Sequence, residues 1–130
     1  MTKKIKMKLK YFKLDEFDSP DLPNSGINMD SDFLRMLDTA RSYSTIPFKI
    51  TSGYRTESHN NAIYRSLGKK PIASSHLIGK ATDIACMDSQ SRYIIFTALV
   101  KAGFTRFGMG NSFIHVDNDN AKAQNVIWTY

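Results

Sequence analysis

At 130 residues the chain has one domain's length, enough to bury roughly two thirds of its unfolded surface without disulfide or metal staples. Hydrophobic residues at 42% and charged residues at 23% are ordinary values for a folded domain. No run approaches the ~20 apolar residues of a transmembrane helix. The single cysteine, Cys86, excludes an internal disulfide and an all-cysteine zinc site, so any metal must be held by histidine and carboxylate. Cys86 itself, following an apolar run, reads as a small buried hydrophobe.

A formal net charge of +6 would suit a polyanion, but Lys3, Lys4, Lys6, Lys8 and Lys10 carry five of the six excess charges. Residues 1–10 therefore read as a basic, flexible tail and residues 11–130 as the folded domain. The tail offers electrostatic attraction to nucleic acid or to an acidic cell-wall glycan. The body shows no basic stripe, so no specific nucleic-acid site is expected. Tyr11-Phe12-Lys13-Leu14-Asp15-Glu16 stands where a secretory signal would carry its continuous apolar core. The expectation is a soluble monomer made in the cytoplasm of a host cell, which reaches any extracytoplasmic target by another route or aboard a virion.

In chain order, Phe12, Leu14 and Phe17 form an apolar anchor leading into a loop punctuated by Pro20, Pro23 and Gly26, where the prolines argue against a helix. Asp30 or Ser31 caps a helix to about Tyr43, with Phe33, Leu34, Leu37 and Ala40 at helical spacing. Residues 47–52 read as a strand presenting Phe48 and Ile50 and ending at Gly53. Thr56 caps a second helix over about 57–67, with Ala62, Ile63 and Leu67 facing inward and Gly68 as its stop. After the loop at 69–71, Ala81–Ala85 alternates as a strand. Asp88 or Ser89 then opens a strongly apolar helix that ends at Gly103. Residues 105–110 and 113–117, joined by Asn111-Ser112, form an antiparallel hairpin, and 126–130 returns as an edge strand. Helices mixed with hairpins predict an α+β domain: a small, mainly antiparallel sheet flanked by about three helices.

Chemistry concentrates in two places. His76 and Asp83 stand on either side of Gly79, and His115 and Asp117 share one face of a later strand. A hydrolytic zinc site uses three histidine and carboxylate ligands and leaves one position open. His76, Asp83 and His115 would supply that set, with Gly79 letting the loop fold His76 back over the two strands. Spacing alone leaves this pairing at even odds with chance, and the lone His59 reads as a structural residue.

Three segments together are more specific. Ser52-Gly53-Tyr54-Arg55-Thr56, Ser74-Ser75-His76-Leu77-Ile78-Gly79-Lys80-Ala81-Thr82-Asp83 and Phe113-Ile114-His115-Val116-Asp117 resemble, in order and distance, the S-G-Y-R, S-x-H-x-x-G-x-A-x-D and late H-x-D or H-x-H patterns of the zinc D-alanyl-D-alanine carboxypeptidase family. The resemblance covers about residues 11–130. It is greatest to small bacteriophage members, through the Tyr11–Phe17 segment and the Trp128-Thr129-Tyr130 ending. It implies a Zn²⁺ peptidase acting on bacterial peptidoglycan stem peptides or cross-links, as carboxypeptidase or endopeptidase, phage-encoded and serving as an endolysin. The same likeness implies His76, Asp83 and His115 as ligands, Arg55 as the group that binds substrate and steadies the developing oxyanion, and Ser74 as a substrate contact or loop organiser. A surface ion pair is the alternative for Arg55.

One departure matters: where many members carry a catalytic acid three residues before the last histidine, this chain has Ser112. Asp117 is then the candidate, either taking a proton from the attacking water or fixing an imidazole from behind. The missing acid also leaves room for a second reading, a non-catalytic zinc-containing module that binds the cell wall.

Overall fold

The computed structural model describes residues 8–130; Lys3, Lys4 and Lys6 of the basic segment lie outside the described residues. Three helices and five strands follow one another as α1 (Ser31–Tyr43), β1 (Ile50–Ser52), α2 (Glu57–Ser66), β2 (Ala81–Ala85), α3 (Ser89–Lys101), β3 (Arg106–Met109), β4 (Phe113–Asp117) and β5 (Val126–Thr129). Each helix starts on a side-chain cap: Asp30, Thr56 and Asp88 accept the main-chain N–H of Phe33, His59 and Ser91. Such a cap stabilises a helix by about 1 kcal/mol.

The strands form one sheet in the order β1-β2-β4-β3-β5. All pairs are antiparallel except β3 with β5. This is the predicted α+β architecture, and the 113–117 strand closes its hairpin on β3 through the Asn111-Ser112 turn, where Gly110 N–H donates to Phe113 O at 3.0 Å.

Alternation divides the sheet into two unlike faces. One face turns Ile84, Ile114, Val116 and Phe107 onto Phe33, Leu34 and Leu37 of α1 and Ile95 and Leu99 of α3, all buried in a single apolar cluster. Cys86 belongs to that cluster, and its burial pushes the thiol pKa up. The opposite face carries a row of residues linked strand to strand: Ser52 opposite Asp83, Asp83 opposite His115, His115 opposite Gly108, and Gly108 opposite Trp128. A second row sets Asp117 between Ala81 and Arg106.

Several local expectations are corrected. The strand expected over 47–52 is confined to Ile50–Ser52, with Phe48 buried just before it. The segment before α1 winds into two single 3-10 turns, Leu14–Phe17 and Ser25–Asn28, on either side of Pro20 and Pro23. Helix α2 does not face the core: Ala62 and Leu67 are exposed, Ile63 is half-buried, and Asn60 is its one buried residue. The reason is position. Helices α1 and α3 already cover the apolar face, so α2 packs at the rim of the other face and its apolar side chains line a cleft. At the other end of the chain, Leu9 packs on the core and the Lys10 and Tyr11 amides donate to the Asp38 carboxylate.

The turn that carries His76 depends on Gly79. Its φ of +71° is left-handed, and a Cβ there would overlap the carbonyl oxygen of Asn28, while its own carbonyl accepts the Asp30 N–H at 2.8 Å. Gly79→Ala is therefore expected to lower stability by at least ~2 kcal/mol, combining left-handed strain with a backbone clash. Urea denaturation followed by circular dichroism measures the loss.

Candidate metal centre

The sheet register delivers Asp83 and His115 side by side, and the turn Ser75–Ile78 folds His76 across them. Ser74 caps that turn by accepting the His76 N–H, and Gly79 closes it. The chain leaving β1 is fixed to the same turn, since Arg55 N–H donates to His76 O at 3.2 Å. One nitrogen of each imidazole and one oxygen of Asp83 thus lie within 4.8 Å of one another.

Hydrogen bonds decide which atoms are free to bind a cation. His76 Nδ1 is 2.7 Å from Gly53 O. A carbonyl only accepts, so Nδ1 carries the hydrogen and Nε2 presents a lone pair. That Nε2 is buried, makes no hydrogen bond, and lies 3.4 Å from Asp83 Oδ1. A buried nitrogen left in this state is unfavourable by roughly 1–3 kcal/mol, which a cation accepting its lone pair would offset.

His115 is held from behind. Its Nε2–H donates to Asp117 Oδ2 at 2.8 Å, leaving Nδ1 aimed at Asp83 Oδ1 at 3.0 Å. His76 Nε2, His115 Nδ1 once it has lost its proton, and an Asp83 oxygen therefore converge as donors of the types that bind a catalytic divalent metal. The donor set fits the metal that the sequence implies.

The charges agree with this geometry. Burial alone would lower the His115 pKa, but hydrogen bonds and charge from Asp117 and Asp83 outweigh it and raise the value. For Asp83, burial pushes upward, and His115 with His76 overcomes it to hold the carboxyl well below the usual carboxylate range. His76 goes the other way, since its deep burial lowers the pKa and keeps the ring neutral.

Asp117 is buried, and both its oxygens are engaged. Oδ1 accepts from Arg106 Nε at 2.6 Å and from the Asp119 N–H at 3.1 Å, while Oδ2 accepts from His115. It stands behind the imidazole. Of the two roles open to it from sequence, this placement matches fixing the ring.

The alternative for Arg55 was a surface ion pair with Glu57 or an aspartate; it does pair with an aspartate, Asp83, but half-buried within the site and not on the surface. Its guanidinium reaches Ser52 Oγ at 3.1 Å, Asn60 Oδ1 at 3.2 Å and Asp83 Oδ2 at 3.4 Å, which points it across the site. His59 lies outside the cluster, at the start of α2.

Arg106 and Trp128 were given no role from sequence, and Asp119 was only a weaker candidate than Asp117, within a turn-forming Asn118-Asp119-Asn120. Arg106 neutralises Asp117 and lies over the Trp128 ring, 5.1 Å from its centroid. Trp128 in turn packs 5.5 Å from the His115 ring. Asp119 accepts from Ser75 Oγ at 2.7 Å and so ties the His76 turn to the loop after β4. Hairpin register was the available signal for Arg106: a turn centred on Asn111-Ser112 sets it opposite Asp117. These residues open into a cleft of about 540 Å³, walled on one side by Ile63, Tyr64 and Leu67 and on the other by Trp128 and Tyr130.

The chain belongs to the Peptidase M15 family, whose sequence profile matches residues 10–117. Its fold is similar to that of the L-Ala D-Glu endopeptidase ChiX of Serratia marcescens, with a TM-score of 0.52 and 23% identity over 58% of this chain and 62% of that one. The similarity, confined to less than two thirds of the ChiX chain, concerns the fold. A comparison with curated proteins finds no match.

Two outcomes follow for metal binding. Because His115 Nδ1 gives up a proton to bind a cation, and its metal-free pKa lies above 6.5, affinity is expected to fall as pH drops through that raised value. Competition with a chelating dye at pH 8 and pH 6 reads the change. Asp117→Asn, which weakens the support behind His115, is expected to reduce affinity by about 10- to 100-fold in the same assay.

Proposed function

We propose that this metallopeptidase-family chain is a zinc enzyme hydrolysing peptide bonds of bacterial peptidoglycan, with His76, Asp83 and His115 as its ligands. The observation carrying this reading is the convergence of two imidazole nitrogens and a carboxylate oxygen in a peptide-sized cleft. Two histidines and one carboxylate are a ligand set of zinc hydrolases. Bound there, zinc supplies a Lewis acid that polarises a carbonyl and lowers the pKa of water toward ~7.

The residues around it supply orientation. Arg55, braced by Ser52 and Asn60, presents fixed N–H donors to the carbonyl or carboxylate oxygens of the substrate. Asp117 and Arg106 hold His115 against rotation. Ser74 organises the turn bearing His76 and also lines the cleft. Lys69 and Lys122 add positive charge to the cleft wall, which suits peptides bearing free carboxylates, as peptidoglycan stems do. Whether the enzyme trims termini or opens cross-links follows from the bond it cuts. In a phage setting the activity would breach the host wall. No helix among the described residues is long and apolar enough to cross a membrane.

A non-catalytic wall-binding module is the second reading, because the cleft's own carboxylates are Asp83, in the donor set, and Asp117, behind His115. One experiment separates the two. Purified peptidoglycan is digested with and without chelator, and the released fragments are weighed by mass spectrometry. Chelator-sensitive release of muropeptides is expected, and His76→Ala should abolish both zinc binding and release. Release that survives chelation and His76→Ala would sink the metallopeptidase reading, whereas zinc and wall binding without release would establish the module. Arg55→Ala is expected to lower kcat/KM by about 10²- to 10³-fold while leaving zinc stoichiometry intact.

A further inference from the structure

A peptidase of this kind needs a proton-bearing group that faces the scissile bond from the open side of the cleft. Asp117 is occupied behind His115, and Ser112 takes the place where a carboxylate would otherwise stand. The sheet offers another group. Gly108 lies between His115 on β4 and Trp128 on β5, and its missing side chain is what admits the neighbouring aromatics. A Cβ at this position would come within 2.6 Å of Trp128 Nε1 and 2.9 Å of Tyr130 Cε2.

Beside that gap stand the side chains of Trp128 on β5 and of Tyr130 just after it. The Trp128 indole packs on His115, and the Tyr130 ring packs on Phe113 with centroids 5.2 Å apart. Tyr130 lines the same cleft as Arg55, Tyr64, Asp83 and His115. It therefore stands at the wall of the cleft that holds the three-donor cluster.

We infer that Tyr130 is a catalytic residue whose phenolic O–H donates a hydrogen bond to the substrate oxygen that gains negative charge when water adds to the scissile carbonyl. This rests on the peptidase reading above. The neutral phenol suits the task. Tyr130 is largely exposed as a residue, and the shielding its phenol does receive, with the Asp83 charge, moves its pKa upward from the ordinary tyrosine value, so the hydrogen stays in place at neutral pH. The phenol keeps its single hydrogen available for substrate. Together with Arg55 it forms a two-sided cradle for the oxyanion, one donor from the end of β1 and one from the end of β5. No net proton transfer is required of Tyr130, since the hydrogen bond strengthens as charge develops and relaxes when the carbonyl re-forms.

The test uses the zinc-loaded full chain and its Tyr130→Phe variant, which keeps the ring and removes the donor. Calorimetry with a phosphinate pseudopeptide, whose tetrahedral anionic centre mimics the hydrated carbonyl, gives a readout independent of turnover. Tyr130→Phe is expected to bind the phosphinate about 10- to 100-fold more weakly and to lose kcat on muropeptides by a similar factor. KM and zinc content should stay within about twofold of wild type, and Tyr93→Phe on exposed α3 serves as the control. If wild type cleaves muropeptides and Tyr130→Phe matches it within twofold in kcat and phosphinate affinity, the role assigned to Tyr130 is overturned alone. A zinc-loaded wild type that cleaves no muropeptide overturns the peptidase reading, and this inference falls with it.

Discussion

The pairing of Asp83 with His115 across β2 and β4 is the constraint on which the structure turns. Because side chains alternate faces, this register simultaneously sets Ile84 against Ile114 on the far side, inside the apolar cluster. A slip of one residue would exchange the two faces, burying a carboxylate and an imidazole among Phe33, Leu37 and Leu99 and exposing the isoleucines to the cleft. The hydrophobic effect thus enforces the site geometry. Burial of Ile84, Ile114 and Val116, at roughly 1.5–3 kcal/mol for each such side chain, holds the two polar residues opposite one another and adds to the direct contact between His115 Nδ1 and Asp83 Oδ1.

Behind this pair sits a buried chain of charge, from Arg106 to Asp117 to His115 to Asp83. Buried ions are costly unless each is paired and hydrogen-bonded. Here both Asp117 oxygens are satisfied, and Arg106 spreads its remaining charge over the Trp128 ring. The return is orientation. Asp117 engages one His115 nitrogen, just as Gly53 O engages one of His76, so the other nitrogen of each ring is aimed at a common point. Hydrogen bonds to Asp117 and Asp83 raise the His115 pKa, whereas deep burial lowers that of His76.

Much of this was legible in the sequence because it follows from period and punctuation. The caps Asp30, Thr56 and Asp88, the alternation through Ala81–Ala85 and the Asn111-Ser112 turn each specify a local geometry, and the His76, Asp83, His115 trio follows once β2 and β4 are neighbours. Helix α2 was misread because amphipathic spacing identifies an apolar face without saying what covers it. Ile63 and Leu67 look the same whether they meet the core or a cleft. Sequence also could not separate the two roles of Asp117, since sharing a face with His115 does not say whether a carboxylate stands before or behind the ring. Arg106 decides that point. As the cross-strand neighbour of Asp117, it draws the carboxylate down onto the sheet.

Successive rows of the site face therefore have distinct chemistry. Asp117 and Arg106 form a charged row that supports the metal-binding row from behind. On the other side, Ala85 pairs with Phe113, and the Tyr130 ring lies against Phe113, giving an aromatic row at the mouth of the cleft. A carboxylate at position 112 would have brought charge to that mouth. Ser112 instead uses its carbonyl to accept the Cys86 N–H at 2.9 Å, closing the hairpin end, and the side chains that line the cleft beside it, Phe113 and Tyr130, are aromatic.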